Sequence, residues 1–282
     1  FPLPTHGLLV AALAVGAAGY ASSGKAWPAW WVVAALWGVT LGSFLILRIV
    51  DEHKDAATDA AHRPYRPVPR GLVTLAELRR VGLAVALLQL ALTVWLDARL
   101  LPYLLLVWLG IGLLGREFFL GERLRAHPLL YMLSHMLILP VLFVYILAAA
   151  RPDGPLLQAG TLWFLVAAYA NGLVFEIGRK LRHPGAEEPG VETYSALWGV
   201  SRASVAWAAA LIAAAAAGLG AAAAVGALVP TALLVAVGVL GALWAAYGMA
   251  RAPSAAGSKR IEMVGALWVL VLYVWLGVVG HI

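Results

Sequence analysis

Apolar runs separated by short polar connections set the organisation of this chain. Runs long enough for a helix to cross a hydrocarbon layer of roughly 30 Å fall near 5–21, 27–50, 75–96, 101–114, 130–149, 161–178, 204–225, 229–250 and 261–279, the fourth being the shortest. The pattern predicts an all-α polytopic membrane protein with nine transmembrane helices in a single domain over 1–282. Small residues recur where such helices would touch. Gly38 and Gly42 stand four apart in the second run and 208–224 is rich in alanine, both suited to close helix approach. Gly110, Gly112 and Gly115 lie in an apolar run with no strand before them, so they do not form a nucleotide loop.

Composition agrees with this picture. The chain is 63% hydrophobic and 12% charged, with a mean hydropathy of +0.88, far from a soluble globular domain. It contains no cysteine, which excludes disulfides, thiolate chemistry and zinc–thiolate sites. Phe1 stands where Met would be expected, pointing to a processed or trimmed product whose original leader, if any, is not visible.

The net charge of +6 would suggest nucleic acid in a soluble protein, but its distribution leads elsewhere, and no nucleic-acid partner is expected. The connections after runs two, four, six and eight, with their helix ends, hold seventeen of the twenty basic residues. The others hold only Lys25, Arg99 and Arg151. The positive-inside rule therefore places those four connections and the N-terminus in the cytoplasm and His281 outside. Twelve of the fourteen acids share that side, leaving Asp97 and Asp153 outside. An integral, multi-pass protein with any active site facing the cytoplasm is the expectation.

The second run ends in a concentration of acids. Asp51, Asp55 and Asp59 fall at i, i+4 and i+8 with Glu52 beside them, so a helix continuing through them would stack three carboxylates on one face. Like charges at this spacing repel and also oppose the helix dipole, so an offsetting positive group is expected. The stretch that follows, His62 to Thr74, has three prolines and a glycine among Arg63, Arg66 and Arg70. Such a backbone is extended and turned, and can carry the arginines back over the acids. Carboxylates near arginines at a membrane surface are what a magnesium-bound diphosphate needs, because magnesium is held by one or two carboxylates plus phosphate oxygens and water. The same residues also suit a solvated helix end marking the interface.

At these positions the chain resembles the UbiA superfamily of intramembrane prenyltransferases. That family's first signature runs Asn-Asp, two residues, Asp, three residues, Asp, followed by Arg-Pro, an apolar residue, Pro and a nearby Gly. Here Asp51 replaces the Asn, Glu52 the first Asp, Asp55 and Asp59 the others, and Arg66 to Gly71 supply the rest. The resemblance extends to the nine runs and to a second charged connection after the sixth. There the family is Asp-rich, whereas this chain offers Glu176, then Arg179, Lys180 and Arg182, then Glu187 and Glu188, with Gly190 to Ser195 as the tail. Fewer acids and more cations favour direct phosphate contact by Arg179 and Lys180, with one tightly held magnesium ion instead of two. Glu176 and Lys180 also have the spacing of an ordinary i, i+4 helix pair.

Three further features remain open in the sequence. The connection from Arg116 to Pro128, with Arg123 and Arg125, suits either a cap that adds positive charge to a phosphate site or an amphipathic interfacial helix anchored by Arg and Phe. His135 and Asn171 lie within apolar runs, where polar groups face a cavity or join helices by hydrogen bonds. The twelve tryptophans suit interfacial anchoring and cavity lining.

The resemblance implies nine helices around a central cavity, with cap loops near 51–74, 115–129 and 176–203. It implies an isoprenyl diphosphate substrate and Mg2+ held by Glu52, Asp55, Asp59 and Glu176, with Asp51 in support. Asp55, Asp59 and Glu176 would be catalytic, and Arg66, Arg179, Lys180 and Arg123 would bind the diphosphate. The implied second substrate is an aromatic or lipid acceptor within membrane lipids. Two other functions fit the same residues: a cyclase that ionises the diphosphate without an acceptor, and a non-catalytic lipid-binding or transport protein.

Overall fold

In the computed structural model the described residues are 3–151, 154–156, 158–188 and 190–282, with side chains from residue 7 onward; Asp153 lies outside them. Every regular element among them is helical. The chain runs α1 (Leu3–Ala21), α2 (Trp30–Lys54), α3 (Ala56–His62), α4 (Leu75–Leu96), α5 (Leu101–Gly115) and α6 (Gly121–Ala126). It continues through α7 (Pro128–His135), α8 (Ile138–Ala150), α9 (Ala159–Arg179), α10 (Tyr194–Trp198), α11 (Val200–Ala223), α12 (Leu228–Arg251) and α13 (Ala255–Val279). Successive long helices are neighbours, and the bundle closes where α13 packs against both α1 and α9.

Among the described residues, eight helical segments are long and apolar enough to cross a membrane, which makes this an integral multi-pass protein. The ninth expected span corresponds to α1, whose described apolar part, Gly7–Ala21, is shorter than the other eight. It is nonetheless built into the bundle, since Ala14, Ala17 and Ala18 are fully buried. Its fit against α13 depends on glycine: a Cβ added to Gly277 would stand 2.7 Å from the Gly16 Cα, too close for any side chain.

Polar side chains fix helices that bury little else. Helix α4 buries little beyond Gln89 and Thr93. The Gln89 amide donates to the Val39 carbonyl and to Ser43 Oγ, both at 2.8 Å, and its oxygen accepts from Trp108 Nε1 at 2.9 Å. Thr93 pairs with the Tyr145 hydroxyl at 2.8 Å. Without water, each of these groups would otherwise go unsatisfied, so the network docks α4 onto α2, α5 and α8.

Two helices expected to be continuous are interrupted. The fifth span breaks between α7 and α8, because Pro140 has no N–H to offer the Met136 carbonyl and its ring crowds that turn. The acidic run breaks at Asp55, whose φ of −92° and ψ of 3° separate α2 from α3. Hydrogen bonds from Asp55 N to Asp51 O and from Asp59 N to Asp55 O, both 2.8 Å, carry the helical spacing across the bend.

Candidate functional site

Three connections at one end of the bundle wall a cavity of about 960 Å³: α2 to α4, α5 to α8, and α9 to α11. Nine basic and seven acidic side chains line it. The surplus is positive, so the cavity suits an anion.

The first wall is the acidic run. Asp51, Asp55 and Asp59 all line the cavity, whereas Glu52 faces inward and pairs with Arg48. Asp59 is 1% exposed and has both oxygens taken, by Arg63 at 3.3 Å and by Arg66 at 2.5 Å. The loop does bring arginines back over the acids, through turn hydrogen bonds from Arg66 N to Arg63 O and from Leu72 N to Pro67 O. It delivers Arg63 and Arg66 but not Arg70 to the cavity. Asp51 lies 3.4 Å from Lys54. Asp55 alone in the run has no ion pair or side-chain hydrogen bond with a described residue. Burial pushes its carboxyl above the usual range; the Lys54 ammonium opposes this rise, and Asp51 and Asp59 add to it.

The second wall is the connection after α9. Arg179 and Lys180 line the cavity and Glu176 sits behind them, 8% exposed. The i, i+4 pair left open by the sequence forms, with Lys180 Nζ 3.0 Å from Glu176 Oε1, while Arg179 Nε donates to Oε2 at 2.6 Å. The Tyr194 hydroxyl lies 3.5 Å from Oε1. Burial first, and Glu176 second, push the Tyr194 phenol upward. Glu187 accepts from Thr193 and Ser195 hydroxyls, both at 2.6 Å, and so shapes the loop. Glu188 accepts from Arg182 at 3.0 Å and from the Tyr65 hydroxyl at 3.1 Å, which ties the second wall to the first across the mouth.

The third wall brings Arg116, Glu117, Glu122 and Arg125 to the cavity, but not Arg123. Glu117 is buried and pairs with Arg125 at 3.1 Å. Glu117, Phe118 and Phe119 adopt φ of 48°, 53° and 60°, a left-handed run that costs conformational energy in non-glycine residues.

His135 and Asn171 lie deeper and do not line the cavity. The His135 ring stacks on Tyr131 at 3.8 Å and its Nδ1 lies 2.8 Å from the Tyr131 carbonyl. Asn171 accepts from Trp268 Nε1 at 3.0 Å and joins α9 to α13. Sequence patterns gave no individual role to Tyr131, Tyr194, Tyr65 or Arg182. Tyr131 accepts from Lys54 Nζ at 2.9 Å and faces the cavity. The signal for it was its position four residues before His135, on the same helical face.

Among the described residues no three His or acidic side chains converge closely enough to hold a metal ion by themselves. The open carboxylate of Asp55, with Asp51 a turn before it, offers the one or two hard oxygen donors that magnesium takes from protein when phosphate completes its shell.

No family model matches this sequence. No curated protein matches it. Two solved structures do match over nearly the whole length. The apo structure of a UbiA homolog from Aeropyrum pernix K1 is 16% identical, with a TM-score of 0.72 over 94% of this chain and 95% of its own. A digeranylgeranylglyceryl phosphate synthase structure, reported in the context of membranes, is 14% identical, with a TM-score of 0.60 over 96% of each chain. The chain therefore has the fold of the UbiA-type polytopic membrane proteins.

Proposed function

We propose that this protein is an intramembrane prenyltransferase, transferring an isoprenyl group from a prenyl diphosphate to an aromatic or lipid acceptor. The observation that carries the proposal is the placement of open Asp55 opposite Arg179, Lys180 and Arg182 across one cavity, within this fold. Asp55, supported by Asp51, would hold Mg2+, with Asp59, Glu52 and Glu176 shaping its surroundings. When bound, the ion would neutralise diphosphate charge and favour its departure.

Arg66, Arg179 and Lys180 orient the diphosphate oxygens and offset the charge that grows on them. The bond between the allylic carbon and the diphosphate oxygen breaks with its electron pair leaving on oxygen. The acceptor supplies the pair that forms the new bond and then loses a proton. Lipid-facing helices keep bulk water from the carbocation. The positive-inside rule supports a cavity that opens to the cytoplasm.

Purified protein in liposomes, given Mg2+ and a series of prenyl diphosphates with quinone-precursor or lipid acceptors, tests this by mass spectrometry. A prenylated acceptor is expected. No turnover of any prenyl diphosphate would count against the proposal, and a product lacking an acceptor would identify a cyclase.

A further inference from the structure

The connection after α9 does not fit a second metal ion. Each carboxylate oxygen of Glu176, Glu187 and Glu188 is already engaged by a protein donor. Both oxygens of Glu176 are held, Oε1 by Lys180 and Tyr194 and Oε2 by Arg179. Both oxygens of Glu187 are held by hydroxyls, and both of Glu188 by Arg182 and Tyr65. The remaining acid, Glu192, is exposed at the rim. A divalent ion there would have to displace cations from Glu176 and then remain beside them. The shortage of unengaged oxygen donors, which a hard divalent ion requires, and like-charge repulsion from Arg179 and Lys180 both argue against it.

The cations on this wall have capacity to spare. A guanidinium has five N–H donors and an ammonium three, while Arg179 spends its Nε and one terminal nitrogen on Glu176 and Lys180 makes one ion pair there. Both side chains also face the cavity. Carboxylate capacity is reversed: the α2 wall offers open oxygens at half-buried Asp55 and on the far oxygen of Asp51, whereas the other acids lining the cavity without a partner among the described residues, Glu122 and Glu192, are exposed.

Resting on the diphosphate reading of this site, we propose that the two walls divide the work. Arg179 and Lys180 grip the diphosphate directly, and a single divalent ion joins it from the Asp51–Asp55 side. Glu176 is then a positioning residue that holds the two cations in place and ligates no metal.

Inorganic pyrophosphate binding by calorimetry, with and without chelator, and Mn2+ stoichiometry by electron paramagnetic resonance, test this in the full chain. Expected results are measurable pyrophosphate binding in chelator and one Mn2+ per chain when pyrophosphate is present. Asp55→Asn should lose the Mn2+ and keep metal-free binding, whereas Lys180→Gln should weaken metal-free binding at least tenfold and Lys180→Arg should restore it. Glu176→Gln separates the roles without removing a cation: retained Mn2+ with weakened metal-free pyrophosphate binding supports positioning, and unchanged binding overturns it. Two Mn2+ per chain, loss of Mn2+ in Glu176→Gln, or pyrophosphate binding that strictly requires metal would overturn the proposal. Absence of pyrophosphate binding under every condition would instead overturn the diphosphate reading on which it rests.

Discussion

Arg66 reaches back seven residues to place a guanidinium nitrogen 2.5 Å from the Asp59 carboxylate, which is almost wholly buried. Arg63 takes the other oxygen. This triad resolves the repulsion that three acids at i, i+4 and i+8 would otherwise create, and it leaves Asp55 as the open carboxylate between two partnered ones.

Asp59→Asn should therefore act on stability. Removing one partner of a sheltered pair is costly, but both arginines are about a fifth exposed, so solvent recovers part of the loss. Destabilisation of about 1–3 kcal/mol is expected, measured as a lowered Tm in detergent. An unchanged Tm would show that the triad is dispensable.

Asp55→Asn should do the opposite. The native carboxylate is desolvated without a paired cation, so its removal should leave Tm unchanged or raise it, while turnover falls by about 100-fold or more. Wild-type turnover in this variant would remove Asp55 from the proposed chemistry.

The same residue sets a pH dependence. Its folded carboxyl titrates above the unfolded one. A group raised on folding adds stability that is fully present below the unfolded value of about 3.9 and is lost as pH rises through the folded value. Its contribution therefore grows on acidification, while the protonated carboxyl can no longer hold a metal. Mn2+ affinity should fall on acidification at a pH above the ordinary aspartate range, and Asp55→Asn should erase the acid-side stability gain seen in pH-dependent unfolding.

Tyr65→Phe removes the hydroxyl that bridges the two charged walls through Glu188. The Tyr65 hydroxyl, and then Arg182, hold the Glu188 carboxyl below its usual range, so the bridge is intact at neutral pH. Faster amide hydrogen exchange over 182–195 is expected, with a several-fold rise in KM for the diphosphate and little change in Tm. Unaltered exchange would mean that the mouth is held by other contacts.

Gly277→Val tests closure of the bundle. With 2.7 Å between a built Cβ and the Gly16 backbone, α1 and α13 must separate. A loss of about 1–3 kcal/mol is expected, read by thermal unfolding. An unchanged Tm would show that this contact yields easily.

The sequence by itself determined the all-helical, membrane-spanning class, because a hydrocarbon layer demands long apolar helices whatever their arrangement. It also determined which connections carry the charge, and it singled out Asp51 to Gly71. It left Glu176 open between metal ligand and helix pair, and His135 and Asn171 open between cavity and core, because periodicity shows only which side chains share a helical face. The tertiary structure decided the rest. It bent the acidic run at Asp55, sent Arg63 and Arg66 to Asp59, placed Arg179 and Lys180 on Glu176, and joined Tyr65 to Glu188 across 123 residues of chain. Which carboxylate is neutralised and which stays open depends on distances of a few ångströms between separate connections, and only the packed bundle sets those distances.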